Sequence, residues 1–201
     1  MAGRPRRRAR RAGLGDPDGP TPGSGADAGP PPDPESVART ICLRLLTVSP
    51  RTRAQLADEL ERREVPADVA ERELGRFTEV GLIDDAAFAQ AWVQTRHRGR
   101  GLARRALSAE LRRRGVDDET ARDAVGQLGE EQEKETARAL VDRRLPTTRG
   151  LPSQTRVRRL AGMLARKGYP AGVAFTVVRE ALADEGTDPG DLPDLHPDES
   201  L

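Results

Sequence analysis

Cysteine, histidine, lysine and aromatic residues are all scarce in this chain, and each shortage closes off a class of function. Cys42 is the sole cysteine among 201 residues, so no internal disulfide or redox pair can form. It lies in an apolar helical stripe, where packing accounts for it. The histidines are His97, among arginines in an expected turn, and His196, in an acidic tail. Neither has a cysteine or second histidine at metal-ligand spacing, and both are expected to be solvated. Aromatics make up 2% of the chain and hydrophobics 35%, too little for one deep core, so several thin ones are expected. No apolar run approaches the roughly 20 residues that cross a bilayer, and no hydrophobic segment follows the arginine-rich N-terminus as a secretory signal requires. A soluble cytoplasmic protein is expected.

Catalytic signatures are also missing. There is no Gly-rich loop ending in Lys-Ser or Lys-Thr and no Gly-x-Ser-x-Gly elbow. Gly99-Arg100-Gly101 imitates the start of a dinucleotide fingerprint, but Arg104 stands at the third glycine position and no strand precedes it. No cofactor, metal site or catalytic residue is expected, and the chain reads as a non-enzyme.

What is present is a repeat. Leu60-Glu-Arg-Arg-Glu-Val65, Leu111-Arg-Arg-Arg-Gly-Val116 and Leu164-Ala-Arg-Lys-Gly-Tyr169 carry apolar, basic and turn positions in one order. Ala70, Leu74 and Phe77 then align with Ala121, Val125 and Leu128, and with Ala174, Val178 and Ala181. Leu56, Leu107 and Leu160 each stand one helical turn before the shared leucine. Such periodicity marks one supersecondary unit stacked several times, an architecture that presents long surfaces more readily than enclosed pockets.

The expected fold is all-α: a tandem repeat of three three-helix units forming an elongated, curved molecule with disordered tails. The units are placed at 35–83, 84–129 and 130–186. Residues 1–34 form a Pro/Gly/Arg-rich tail that cannot bury enough apolar area to order itself. Residues 187–201 form an acidic tail. In the first unit a helix should stop at Gly81 with Leu82 packing back against its last turn. Asp84-Asp85 should cap the next helix, with Phe88 and Trp92 on its core stripe. Arg96 to Gly101 reads as a short basic turn, and Pro146 to Gln154 as a loop.

The net charge of +1 hides a strong asymmetry. Arg96, Arg98, Arg100, Arg104, Arg105, Arg112, Arg113 and Arg114 crowd the middle unit, and Arg158, Arg159, Arg166 and Lys167 continue the theme in the third. Clustered guanidinium groups bind phosphate and carboxylate bidentately. A solvated face, with cations favoured at helix C-termini, is the plainer alternative. With Phe88 and Trp92 assigned to the core, backbone phosphates or an acidic protein surface suit these arginines better than stacked bases do. The N-terminal arginines could add nonspecific nucleic-acid contact.

Two segments carry a family likeness. Gly81-Leu-Ile-Asp-Asp85-Ala-Ala-Phe88-Ala-Gln-Ala-Trp92-Val-Gln-Thr-Arg96 resembles the signature segment of RecX proteins. Gly99-Arg-Gly-Leu-Ala-Arg-Arg-Ala-Leu-Ser-Ala-Glu110-Leu-Arg-Arg-Arg-Gly115-Val resembles their second conserved block. The likeness spans roughly residues 36–186. It implies a modulator, mainly an inhibitor, of the RecA recombinase, its ATPase and its coprotease activity. It also implies RecA and the RecA–DNA filament as partners. Apart from the resemblance, direct nonspecific DNA contact stays open, no membrane contact is expected and a monomer is the preferred state. The turn glycine of the repeat is Glu64 in the first unit, a departure from the pattern, and the long N-terminal tail has no counterpart in it. The alternative is a winged-helix transcription regulator, since Thr52 to Asp84 scans like one. That reading requires a β-hairpin after Ile83, where the sequence is helical.

Overall fold

The computed structural model describes residues 33–186, all of them helix or short connection. The first unit comprises α1 (Pro34–Val48), α2 (Arg53–Arg62) and α3 (Ala67–Glu79). The second comprises α4 (Asp85–Arg100), α5 (Arg104–Arg112) and α6 (Asp118–Gly126). The third comprises α7 (Glu130–Arg144), α8 (Ser153–Arg166) and α9 (Ala171–Asp184). No strand occurs among the described residues, so the β-hairpin of a winged helix is absent there and α4 occupies its place. Both tails assigned from the sequence lie outside the described residues, apart from Asp33 and the helical start at Pro34.

Local chemistry sets the helix ends. Thr52 caps α2 in a reciprocal capping box with Gln55. Asp84 caps α4 by accepting from the Ala87 amide at 2.8 Å, and Asp117 caps α6 by accepting from the Glu119 and Thr120 amides. Ser49-Pro50 follows α1, as the restriction on residues before proline demands. A short 3-10 turn, Leu145–Thr148, occupies part of the expected loop after α7.

Every apolar repeat position aligned above is buried. Leu56, Leu60, Leu74, Leu107, Leu111, Leu160, Leu164 and Val178 are fully so. Each unit forms its own cluster of apolar side chains, in which the first and second helices pack against the third. Fully burying a leucine is worth about 1.5–3 kcal/mol, so each unit depends on a few residues. Two details differ from expectation. Leu82 is half exposed, and the residue that packs back after α3 is Ile83, 2% exposed; the amides of both reach the Phe77 carbonyl. On α4 the buried stripe is Ala89, Val93 and His97, one step round from Phe88 and Trp92, which are only partly covered.

Neighbouring units join by one recurring device. The turn after the second helix of a unit presses on the start of the second helix in the unit before it. At the first joint the Thr52 hydroxyl donates to the Arg114 carbonyl at 2.6 Å, and Asp85 accepts from the Arg53 amide at 2.9 Å. At the second, the Ala103 amide donates to the Lys167 carbonyl at 2.9 Å, and Glu133 accepts from the Arg104 amide at 2.8 Å. Thr52 and Ala103 are equivalent N-cap positions, and Arg53 and Arg104 are equivalent first helical residues. In both cases a carboxylate from the next unit satisfies an amide that a helix start leaves unpaired.

The same joints explain the turn residues. Gly115 and Gly168 adopt φ of +77° and +89°. A Cβ on Gly168 would stand 2.7 Å from the amide nitrogen and Cβ of Ala106. Glu64 holds the equivalent position in the first unit, also left-handed at φ 59°. Among the described residues no unit precedes it, so it is exposed and has room for a side chain.

Candidate functional site

Helix α4 runs on to Arg100 and ends at Gly101 in the left-handed conformation. The expected basic turn is therefore helix, and Arg96, Arg98 and Arg100 sit in its last turns. His97 is not solvated as expected but 3% exposed. Its Nδ1 lies 2.9 Å from the Leu102 carbonyl, and its Nε2 lies 2.8 Å from the Thr136 hydroxyl on α7. It thus ties the second unit to the third. Its register was readable: Leu46, His97 and Leu145 each stand eight residues after a buried alanine, Ala38, Ala89 or Ala137.

The twelve candidate cations divide by partnership. Arg104 is committed to structure: its Nε donates to Glu133 at 2.9 Å, and it pairs with Glu130 at 3.4 Å. The Glu133 and Glu130 carboxylates hold its guanidinium above its usual pKa against the opposing effect of burial. Arg112 pairs with Asp118. Lys167 donates from Nζ to the Arg100 carbonyl at 2.5 Å, which brings the end of α8 to the end of α4. Arg98, Arg100, Arg105, Arg113, Arg158, Arg159 and Arg166 are exposed, and none has a side-chain ion-pair partner among the described residues. The last turn of a helix is where cations are electrostatically favoured.

Arg96 and Arg114 have a different setting. Their guanidinium carbons lie 4.0 and 3.6 Å from the centre of the Trp92 ring, within cation–π range. Trp92 stacks on Phe88 with centroids 5.7 Å apart, and its Nε1 donates to Glu110 at 2.8 Å. Burial and the nearby Arg96, Arg51 and Arg113 charges lower the Arg114 pKa, against the opposing pull of Glu110. Sequence reasoning placed Phe88 and Trp92 in the core. They are instead the aromatic wall of a groove at the joint between the first and second units.

Among the described residues no group of His, Cys, Asp or Glu could hold a metal ion, and no helix is long and apolar enough to cross a membrane. The surface offers guanidinium groups fixed on short helices. Such groups bind phosphate or carboxylate oxygens through charge-assisted, bidentate hydrogen bonds.

Fold and surface together define a tandem three-helix repeat protein with exposed arginines on its second and third units. Residues 38–77, 84–125 and 130–178 match the first, second and third three-helix domains of RecX. The chain is 61% identical to regulatory protein RecX of Thermobifida fusca over 171 residues, covering 85% of this chain and 90% of that one. It is 61% identical to that of Streptomyces lividans over 177 residues, covering 88% and 94%. It is 47% identical to that of Mycolicibacterium smegmatis over 165 residues, covering 80% and 88%. The chain belongs to the RecX family of regulatory proteins. The crystal structure of RecX from Lactobacillus salivarius shares the fold with a TM-score of 0.70 at 20% identity, over 74% of this chain and 97% of that one.

Proposed function

We propose that this protein binds the RecA recombinase and its nucleoprotein filament, and limits recombinase, ATPase and coprotease activity during DNA repair and recombination. Membership of the RecX family carries this reading. The exposed arginines of the second and third units supply its physical means. Seated in the filament groove, a chain of rigid helical units bridges neighbouring subunits and hinders the rearrangements that strand exchange and filament growth require. Arg98, Arg100 and Arg105, exposed and without a side-chain ion-pair partner among the described residues, reach phosphate or carboxylate groups on the filament. The protein acts by occupancy and not by catalysis.

Co-sedimentation with preformed RecA filaments on single-stranded DNA tests this. The protein is expected in the filament pellet at moderate salt, with less on naked DNA. Retention on a specific duplex sequence, with none on filaments, would contradict it.

A further inference from the structure

The groove at the joint of the first two units has a volume of about 680 Å³, within the roughly 300–1,000 Å³ range of small-ligand pockets. Leu46, Leu82, Phe88 and Trp92 give it apolar walls, and Arg51, Arg96 and Arg114 line it together with one carboxylate, Asp84. Leu82 is 52% exposed, an uncovered large side chain beside half-covered aromatics. The Nε atoms of Arg51 and Arg96 are buried without a hydrogen-bond partner among the described residues. Glu110 lies 3.8 Å from Arg96 Nε, too far for a hydrogen bond, and already accepts from Trp92. A buried donor without an acceptor is left without compensation for its lost hydration. An apolar hollow lined by three guanidinium groups against one carboxylate suits a ligand that is apolar at its centre and anionic at its margin.

We propose that this groove docks an acidic peptide segment of a partner protein, with a leucine-like side chain between Leu82 and Phe88 and carboxylates on Arg51 and Arg96. A peptide suits it better than nucleic acid. Two guanidinium groups already crowd the Trp92 ring, so it offers poor base stacking, and a phosphate backbone has nothing to lay against Leu46 and Leu82. The proposal rests on the filament reading only for where such a segment comes from; peptide binding is measured without RecA, so either can fail alone.

Trp92 is the only tryptophan, so its fluorescence reports on the groove directly. The full-length protein is titrated with a synthetic dodecapeptide of leucines flanked by aspartates. Control peptides replace aspartate by asparagine, or leucine by serine. Saturable change is expected with the first peptide alone. Arg51→Gln and Arg96→Gln should each weaken it about tenfold, the loss of one charge-assisted bond. Leu82→Asp should abolish it with circular dichroism unchanged; its side chain is exposed, which keeps the test clear of folding. The proposal is overturned by no response to the acidic peptide, by an equal response to the asparagine peptide, or by tighter binding of oligothymidylate with the same Trp92 change. Self-association lost in Leu82→Asp would overturn it in favour of a second copy.

Discussion

A Cβ built on Gly115 would stand 2.2 Å from the Cβ of Ala54. Gly115 closes the second helix of one unit, and Ala54 lies in the first turn of the second helix of the unit before. This contact is where one repeat reads the position of the next. It requires glycine twice over, for backbone conformation and for space.

Gly115→Ala is therefore expected to destabilise the protein by about 2–5 kcal/mol, combining a left-handed penalty of about 1–2 with overpacking of about 1–3. Adding Ala54→Gly should restore only the packing part. Glu64→Gly, at the equivalent position with no unit packed on it, should change stability by less than about 1 kcal/mol. Urea unfolding of the native protein and the three variants measures all of this; equal effects at 115 and 64 would contradict the joint.

The arginines should separate into two groups. Arg104→Ala removes the partner of a 7%-exposed Glu133 and should lower stability by about 1–2 kcal/mol, allowing for its partial exposure. Arg98→Ala, Arg100→Ala and Arg105→Ala should each stay within about 0.5 kcal/mol yet weaken filament binding together, most strongly at low salt. Thermal melts and co-sedimentation on the same preparations distinguish the two outcomes.

Glu73 is fully buried and bonds to Arg39 at 3.1 and 3.2 Å and to Arg76. Burial favours its neutral form, but the two guanidinium groups outweigh that and lower its pKa below the ordinary 4.5. A lowered carboxylate pKa gives stability that is complete above the unfolded value and lost as pH falls through the folded one. Glu73→Gln should be the less stable protein at pH 7. The gap should narrow as pH drops below about 4.5, the ordinary glutamate value. Melting curves between pH 7 and pH 3 would show a constant gap if the pairing were unimportant.

Cys42 should behave as an inert core residue. Burial first, and the Glu73 charge second, push its thiol up to about 11. At pH 8 the folded protein should react with a thiol reagent at least about a hundredfold more slowly than the unfolded chain. Rapid native labelling would place Cys42 at an accessible surface.

The three-unit helical fold was legible because its evidence is local and repeated: aligned positions such as Leu56, Leu107 and Leu160 all lie fully buried. The errors arose where two apolar stripes run side by side on α4. Larger side chains drew Phe88 and Trp92 into the expected core, although the smaller Ala89, Val93 and His97 occupy it. His97 was masked by flanking arginines, and only its register against Leu46 and Leu145 betrayed it. The sorting of the arginines was not legible. Arg104 finds Glu133 29 residues away, and the Trp92 contact with Arg114 likewise depends on tertiary packing.

Restraint of RecA through the exposed arginines, as proposed above, can be measured in one titration. The most direct measurement is the single-strand-DNA-dependent ATPase of the cognate RecA, titrated below equimolar ratio with the native protein and with the Arg98, Arg100 and Arg105 triple alanine variant. Inhibition by the native protein is expected, with a substantially higher concentration needed for the variant. Equal inhibition by both would contradict the arginine surface, and no inhibition by the native protein would contradict the account as a whole.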